Sequence, residues 1–319
     1  MASRRSGVRS PSAPFDGAAS VYDRPPVVVG LVGCGLWGTH ILRDLRSLGC
    51  DVRVVARSHA SIGRALDGGA AEIVSDVAAL GDVQGAVVAT PIATHATVVE
   101  HVLRLGVPIF VEKPLCDDAT DATRLAEEGA GRIFVMDKWR YHAGVAALAA
   151  LARSDELGPL QELRTTRVQT HNRHEEDCSW VLIPHELAIA TEILGGLPEP
   201  IGASAEWEED RILSLRATLE RNGVTHSLEV SERAAVNQRR IEVIFEGGAG
   251  TLEGGWDEHV TVTPRTGPTT RVEATGELPL LAELRAFIGF LRGGSAPRSS
   301  VGEGAAAVHV IAALRALAG

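Results

Sequence analysis

This chain of 319 residues has few cysteines and no long apolar run. Its four cysteines are scattered without a Cys-x-x-Cys pair. The sequence therefore predicts neither a disulfide framework nor a structural zinc site, and it indicates a reducing compartment. No stretch approaches the roughly 20 consecutive apolar residues that a transmembrane helix needs. We therefore expect a cytoplasmic protein without a membrane segment.

Positive charge is also in short supply. The chain has 31 Lys and Arg against 41 Asp and Glu, a formal net charge of -10. Because binding to nucleic-acid phosphates needs a basic surface, we expect no nucleic-acid partner. The length allows two domains with cores of their own. Residues 1–26 are dominated by Ser, Arg, Pro, Gly and Ala, which predicts a disordered tail.

The most informative stretch runs from Val27 to Ser58. An apolar run ends at a Gly-x-Gly-x-x-Gly turn, and a helical pattern and a second apolar run, Val52 to Ala56, follow. A strand, a glycine turn, a helix and a strand in this order form the fingerprint of a dinucleotide-binding unit. The glycines permit a tight turn and close approach to a pyrophosphate, and the helix N-terminus attracts its charge. The predicted cofactor-binding residues of this loop are Gly33, Gly35, Leu36, Trp37 and Gly38.

The end of the second strand indicates which dinucleotide is bound. Units that bind NAD usually carry Asp or Glu there, which accepts a hydrogen bond from the ribose 2′-hydroxyl. This chain instead has Ala56-Arg57-Ser58. Arg57 can pair with a 2′-phosphate, and the Ser58 hydroxyl can add a hydrogen bond. The sequence therefore predicts NADP(H) in preference to NAD(H).

Strands and helices continue to alternate up to about residue 142. This alternation predicts an α/β dinucleotide-binding Rossmann domain over residues 27–142, with a doubly wound parallel sheet. Thr90-Pro91, Glu112-Lys113-Pro114 and the stretch after the sixth strand all follow strand carboxyl ends. Ligands of such sheets bind at that edge, so these residues should line one crevice.

The alternation of strands and helices ends before residues 143–319, where several predicted strands follow one another between about residues 160 and 264. Asn222-Gly223 between two of these runs is a hairpin signal. We predict an α+β domain for substrate binding and dimerisation, with a mostly antiparallel open sheet and a helix over residues 183–194. Because one face of this sheet needs a cover, we expect a homodimer or a higher homo-oligomer through it.

The combination of motifs resembles the Gfo/Idh/MocA oxidoreductases, the glucose–fructose oxidoreductase and inositol dehydrogenase family. The resemblance rests on the glycine turn, on Ala89-Thr90-Pro91 with His95, and on Glu112-Lys113-Pro114. Residues 180–189 also look like the family's WDLxPHDLSI segment, found in sugar and sugar-nucleotide dehydrogenases. The further cofactor-binding residues that the resemblance implies are Thr90, Pro91, His95, Glu112, Lys113 and Pro114.

The same resemblance implies two catalytic residues, Lys113 and His185. A lysine at this strand end can polarise a carbonyl group or relay a proton as hydride arrives. An imidazole with a pKa near 6.5 can exchange the proton of an alcohol at neutral pH. The resemblance also implies that the Lys113–Pro114 peptide bond is cis. The substrate-binding residues that the resemblance implies are Trp139, Arg140, Tyr141 and Trp180, and the polar loop before residue 178 adds His171, Arg173 and His174 as predicted substrate contacts.

The sequence departs from the family pattern at Val181, where the family has an Asp that shares the proton work. Three interpretations follow. His185 suffices with Lys113, or another group among His171, His174, Glu175 and Asp177 serves, or the reaction is not an ordinary alcohol oxidation. The loop from His171 to Asp177 has two histidines among carboxylates, but we expect it to meet a small-molecule substrate rather than a metal.

We therefore expect an NADPH-dependent reductase, acting in biosynthesis on a carbonyl of a sugar, a cyclitol or a related small molecule. Reduction is favoured because it needs only a proton donor, whereas alcohol oxidation needs a strong base. The alternatives are an imine reductase of the same family and a non-catalytic regulator that senses dinucleotides, since this fold does not fix one function.

Overall fold

The computed structural model describes residues 25–171 and 176–319. The first 24 residues of the predicted disordered tail lie outside the described residues. None of the described helices is long and apolar enough to cross a membrane.

The first sheet has six parallel strands in the order β3-β2-β1-β4-β5-β6. They are β1 (Val28–Val32), β2 (Asp51–Val55), β3 (Glu72–Val74), β4 (Gly85–Val88), β5 (Ile109–Glu112) and β6 (Ile133–Met136). The helices between them are α1 (Leu36–Ser47), α2 (His59–Asp67), α3 (His95–Leu103) and α4 (Ala119–Glu128). The central strands are buried on both faces because helices cover both sides. The predicted doubly wound parallel sheet is confirmed.

The strand order reverses between β1 and β4, and this reversal creates the crevice. Val32 pairs with Val88, so the turn after β1 lies beside the turn after β4. The Ala89 N–H donates to the Val32 carbonyl oxygen at 2.9 Å, and the Gly33 N–H donates to Val55 at 3.1 Å. Three strand ends are thereby joined at the edge where such sheets bind ligands.

The second sheet has eight strands in the order β14-β13-β12-β11-β7-β10-β9-β8. They are β7 (Leu160–Val168), β8 (Glu199–Glu208), β9 (Arg211–Arg221), β10 (Val224–Ser231), β11 (Gln238–Phe245), β12 (Gly248–Glu253), β13 (His259–Pro264) and β14 (Thr270–Glu273). Neighbouring strands are antiparallel except β7 and β10. Asn222 and Gly223 form the predicted hairpin turn, with φ values of 51° and 81°. The mostly antiparallel sheet is confirmed.

One face of the second sheet is covered by α5 (Ala143–Ala152) and α6 (Cys178–Leu194). The other face carries polar and charged side chains, and its ion pairs cross from strand to strand. Arg164 of β7 lies 3.8 Å from Glu242 of β11, and Arg216 of β9 bonds to Glu229 of β10 at 2.6 Å. The predicted homodimer through this face stays a prediction, and any partner there has to accommodate a polar surface.

The last two helices, α7 (Pro279–Leu291) and α8 (Val301–Leu317), return to the first sheet. Phe287 is fully buried and stacks on Phe110 of β5, with ring centroids 5.0 Å apart. Val301 and Val308 of α8 join the core between the first sheet and α4. Helix α7 therefore packs on the first sheet, whereas α8 packs on both, because its Ile311 and Leu314 join the core formed by α6 and the second sheet. Apolar periodicity reveals such helices but not the sheet on which they pack.

Phe287→Ala should destabilise the protein strongly if α7 completes the first core. Removing a fully buried aromatic ring typically costs about 3–5 kcal/mol of unfolding free energy. The matched control is Leu278→Ala, because Leu278 is 52% exposed at the N-cap of the same helix. Melting temperatures measured by circular dichroism should fall for Phe287→Ala alone, and equal values for the two variants would contradict this packing.

Candidate active site

The glycine turn after β1 is shaped by close contacts at two of its glycines. Gly33 has a φ of 97°, and a Cβ there would lie 2.6 Å from the Ala89 carbonyl oxygen. A Cβ on Gly38 would overlap the Gly33 carbonyl oxygen, so the start of α1 packs directly on the turn. Gly35 is different, because a Cβ there would meet no described atom within 4 Å. The turn therefore leaves open space at the N-cap of α1.

That open space suits a pyrophosphate. Gly35 is the N-cap of α1, and the first turn of the helix carries no acidic side chain. Free N–H groups at a helix N-terminus favour an anion. Leu36 and Trp37, the next two predicted residues, form the exposed first turn of the helix, with exposed fractions of 74% and 37%. The residues present therefore fit a dinucleotide.

Arg57 and Ser58 follow β2, as predicted. Arg57 is exposed, and its Nε donates to the Ser75 carbonyl oxygen at 3.3 Å. Ser58 is the N-cap of α2, and its hydroxyl accepts from the Ser61 N–H at 3.1 Å. Arg64 reaches back from α2, and its Nε donates to the Cys34 carbonyl oxygen at 2.9 Å. Arg57 thus presents its guanidinium at the strand end, while Arg64 braces the glycine turn.

His95 braces two loops of the crevice from behind. Its side chain is buried, with Nε2 lying 2.9 Å from the Thr90 carbonyl oxygen and Nδ1 lying 2.9 Å from the Pro114 carbonyl oxygen. Burial lowers the pKa of His95. The structure places Thr90 and Pro91 on the loop itself and His95 beneath it. His95 is therefore a positioning residue.

Glu112 connects the glycine-turn helix to Lys113. This buried carboxylate accepts hydrogen bonds from the Trp37 indole and, at 3.1 Å, from the Lys113 backbone N–H. The Lys113–Pro114 peptide bond is cis, as the resemblance implied. The Lys113 ammonium donates to the Val181 carbonyl oxygen at 3.2 Å. The lysine thus spans from the end of β5 to α6 of the other domain.

Helix α6 begins earlier than the sequence predicts. The sequence predicts a helix over residues 183–194, which starts at Ile183. The helix instead starts at Cys178, because Asp177 caps it by accepting from the Ser179 N–H at 3.0 Å. Pro184 lies inside and removes one helical hydrogen bond. The expected start is therefore wrong, and His185 lies within the helix, one turn beyond Val181.

Val181 still contacts the lysine, although it has no carboxylate. Its carbonyl oxygen takes the hydrogen bond from Lys113, one turn before the proline interrupts the helix. Its side chain is buried in apolar surroundings. A main-chain oxygen therefore orients the lysine at the position where the family carries Asp.

Positive charge dominates the surroundings of His185. Burial, followed by Lys113, Arg167, Lys138 and Arg239, holds the pKa of His185 well below its usual value. Burial also lowers the pKa of Lys113. His185 is therefore neutral at pH 7, in the state that accepts a proton. The Trp139 ring lies edge-on to it, with ring centroids 6.5 Å apart.

Two arginines beside Trp139 escaped the sequence analysis. Arg167 of β7 and Arg239 of β11 are directly paired across the sheet, and their guanidinium carbons lie 4.6 and 5.1 Å from the Trp139 ring centroid. Arg167 is 3% exposed and ion-paired with buried Glu186. The alternation of Leu163, Thr165 and Arg167 on the covered face was the available signal.

A group of acids and one lysine also lies under the crevice. Glu283 of α7 is 1% exposed, and neither carboxylate oxygen has a hydrogen-bond partner within the described parts of the chain. Burial raises its pKa well above the usual range and raises that of Asp137 to about 6. Lys138 lies 4.0 Å above the Trp37 ring, and burial lowers its pKa. Glu283 could have been identified from the sequence, because it is an acid among the apolar positions of a predicted helix.

Several predicted substrate residues contact parts of the chain other than His185. Arg140 bonds to Glu303 at 2.9 Å, and the Tyr141 hydroxyl accepts from the Arg298 N–H at 2.9 Å, so both hold the loop before α8. Trp180 packs against Arg315 of α8. Exposed His171 lies 3.0 Å from the Thr170 hydroxyl, while Arg173, His174 and Glu175 lie outside the described residues. Trp139 does lie beside His185.

The known proteins that resemble this chain are oxidoreductases. A family model described as "Oxidoreductase family, NAD-binding Rossmann fold" matches residues 27–135. Inositol 2-dehydrogenase 1 of Paenarthrobacter aurescens (strain TC1) is 36% identical over 144 residues, which are 41% of this chain and 42% of that relative. The matched part is thus less than half the length of that relative. Inositol 2-dehydrogenase 2 of Saccharopolyspora erythraea is 34% identical over 284 residues, which are 81% of this chain and 79% of the relative.

The chain belongs to the Gfo/Idh/MocA family. Among solved structures, it resembles an oxidoreductase from Agrobacterium radiobacter in complex with NAD+, L-tartaric acid and magnesium. The TM-score is 0.81 at 19% identity, over 92% of this chain and 96% of the other. That likeness shows a shared fold. Within residues 25–171 and 176–319 of this Gfo/Idh/MocA chain, no group of three or more His, Cys, Asp or Glu side chains is placed to hold a metal ion.

Gly35→Ala and Gly38→Ala should differ in their effects on cofactor affinity and on thermal stability. Alanine at position 35 fits the fold but intrudes on the space for the pyrophosphate, so NADPH affinity should fall at least about tenfold with an unchanged melting temperature. Alanine at position 38 overlaps the Gly33 oxygen, so it should lower the melting temperature as well. NADPH fluorescence titration and thermal melts measure both effects.

The control for this pair is Gly302→Ala, at an exposed position in α8 where a Cβ meets only the Ser300 hydroxyl at 3.9 Å. It should leave both measurements unchanged. If Gly35→Ala binds NADPH as the wild type does, the pyrophosphate does not lie over the N-cap of α1.

Proposed function

We propose that this protein transfers hydride between NADP(H) and a carbon that is CH–OH in one state and C=O in the other, on a sugar, a cyclitol or a related small molecule. The observation that carries the proposal is the convergence of Lys113 and His185 at the edge that holds the glycine turn. Lys113 comes from β5 and reaches the helix that carries His185. Relatives named inositol 2-dehydrogenase support a cyclitol or sugar substrate.

The two residues have complementary parts in the reaction. When bound, the nicotinamide ring donates or accepts the hydride. The Lys113 ammonium stabilises negative charge as it develops on the substrate oxygen. Neutral His185 accepts the proton of an alcohol, so the free protein is already in the correct state for oxidation. Reduction, which the sequence favours, draws its proton from Lys113 or from an imidazolium formed after substrate binds.

The preference for NADP(H) rests on Arg57. The guanidinium stands at the end of β2, where an NAD-binding unit would place a carboxylate. Its Nε is used by Ser75, which leaves the other N–H groups directed to solvent at the strand end. The Agrobacterium structure is described with NAD+, so the choice of NADP(H) is a property proposed for this chain from its own residue 57.

Arg57→Asp should weaken NADPH binding at least about tenfold and leave NADH binding unchanged or stronger, because attraction to the 2′-phosphate becomes repulsion. The matched control is Arg132→Asp, which makes the same charge change at an exposed residue just before β6. Fluorescence titration with both cofactors measures the ratio of affinities. Equal affinities of the wild type for NADPH and NADH would refute the preference.

Lys113→Ala and His185→Ala should each lower turnover by about 10²-fold or more, the usual scale for groups that move or stabilise a proton. Cofactor affinity should change little in His185→Ala and modestly in Lys113→Ala. Because His185 must be neutral and its pKa is held well below the usual value of about 6.5, oxidation should keep its activity through pH 6.5 and lose it only at a distinctly lower pH. That acidic limb should disappear in His185→Ala.

Steady-state kinetics in both directions, over a panel of polyols, keto-sugars and keto-sugars with amines, provides the measurement. Turnover restricted to the amine mixtures would indicate the imine reductase. Tight cofactor binding with no turnover on any substrate would favour the dinucleotide sensor. Wild-type turnover in His185→Ala would remove the histidine from the mechanism.

A further inference from the structure

The cleft beside His185 holds an excess of positive charge. Arg167 and Arg239 flank Trp139, and Lys113 approaches from the other side. Glu186 neutralises Arg167. Within residues 25–171 and 176–319, no carboxylate lies within 4.0 Å of the Arg239 guanidinium. Arg239, the half-buried arginine of the pair, therefore has no counter-charge among the described residues beside His185.

The polar atoms left without partners beside Trp139 are all donors. They are Nε1 of Trp139, Nη2 of Arg167 and Nε of Arg239, and each is buried without a hydrogen-bond partner in the described parts of the chain. A buried donor that lacks a partner destabilises the structure, and it does so more strongly if it is charged. A cluster of such donors around one ring matches a ligand that offers acceptors and negative charge.

The position of Arg239 is built into the surrounding chain. A Cβ on Gly255 would overlap Nη1 of Arg239, so the glycine makes room for the guanidinium. His142 stacks on Trp139 with ring centroids 4.8 Å apart. Its Nδ1 accepts from the Gly144 N–H at 3.1 Å, so its Nε2 proton is directed to the Gly255 carbonyl oxygen, also at 3.1 Å. The neighbouring imidazole is therefore occupied, and it brings no negative charge to Arg239.

Burial also makes this arrangement unfavourable without a counter-ion. Desolvation and the neighbouring Arg167 lower the pKa of Arg239 to about 10. Among the groups that face it, Glu186 alone acts in the opposite direction, and that carboxylate is already bonded to Arg167. An anion beside Arg239 would restore the balance of charge.

We propose that the substrate carries an anionic substituent, and that Arg239, together with Arg167 and Trp139, binds it on the side of the cleft formed by the second sheet. This inference rests on the proposed function and narrows its substrate to an acidic sugar or cyclitol derivative. A carboxylate fits better than a phosphate, because one arginine without a counter-charge balances a single negative charge, whereas a phosphate monoester carries about −1.5 to −2 at pH 7. Arg239 is then the residue that determines specificity.

The test compares ligands that differ only in charge. D-Glucuronate, D-glucose 6-phosphate and D-glucose share a ring and differ at carbon 6. Their binding to the full-length protein, saturated with NADP+, is measured by calorimetry, and the melting temperature is recorded in parallel. Glucuronate should bind at least about tenfold more tightly than glucose, the scale of a hydrogen bond to a charged group.

Variants assign the effect to one side chain. Arg239→Gln should abolish the preference for glucuronate, and Arg239→Lys should retain part of it, since a point charge keeps attraction but loses the fork geometry. The control is Arg240→Gln, the next residue of β11, which lies on the opposite face and pairs with Glu253 at 2.8 Å. It should bind glucuronate as the wild type does.

The outcomes are distinct. A glucuronate preference that Arg239→Gln removes, in a variant that melts like Arg240→Gln, supports the proposal. If glucose 6-phosphate binds more tightly than glucuronate and Arg239→Gln removes that preference, the substrate is still anionic, but its anionic group is a phosphate rather than a carboxylate. The inference is overturned if neither anionic sugar binds more tightly than glucose, or if none of the three sugars binds. It is also overturned if the anion preference survives Arg239→Gln. Hydride transfer to neutral sugars or cyclitols in that case would leave the proposed function intact.

Discussion

The hydrogen bond between the Lys113 ammonium and the Val181 carbonyl oxygen joins the two sheets at the candidate site. The lysine belongs to the end of β5, while the oxygen belongs to α6, which packs on the second sheet. Its direction depends on Glu112, which holds the Lys113 backbone, and on the position of α6, which Asp177 and Arg315 fix at the N-terminus of that helix. A change in the packing of either sheet would therefore move the ammonium away from His185.

Charge is segregated across this contact. Glu112, Asp137 and Glu283 lie on the side of the first sheet, together with Lys138. The second sheet contributes Arg167 and Arg239, with one carboxylate, Glu186, between them. Burial raises the pKa of Asp137 and that of Glu283, and burial together with the nearby cations lowers the pKa of His185 and keeps it neutral. The crevice thus has a side rich in protonatable acids and a side rich in cations, with the histidine facing the latter.

Much of this architecture could be predicted from local patterns. The glycine turn, the strand ends and the Asn222-Gly223 hairpin depend on residues close in sequence, and each is confirmed. The predicted start of α6 was wrong, because the cap supplied by Asp177 starts the helix at Cys178 and Pro184 lies inside it. The packing of α7 on the first sheet could not be predicted, since an amphipathic helix does not identify its partner. Arg239 was missed for a similar reason, because its role depends on a neighbour across the sheet and on a ring from the first domain.

Val181 and Arg239 can be understood together. In the family pattern, position 181 carries an aspartate, which brings a negative charge one helical turn before the histidine. This chain has replaced that charge with an apolar side chain, while the cations around His185 remain. The main-chain oxygen of Val181 orients the lysine but cannot neutralise it, because a carbonyl dipole carries no net charge.

An anionic substituent on the substrate would supply part of the missing negative charge at the moment when the substrate is bound. It would also raise the proton affinity of His185 in the complex relative to the free protein, since opposite charge nearby favours the imidazolium. The loss of the aspartate and the unpaired arginine would then be two aspects of one arrangement, in which the substrate brings a charge that relatives carry in their own chain.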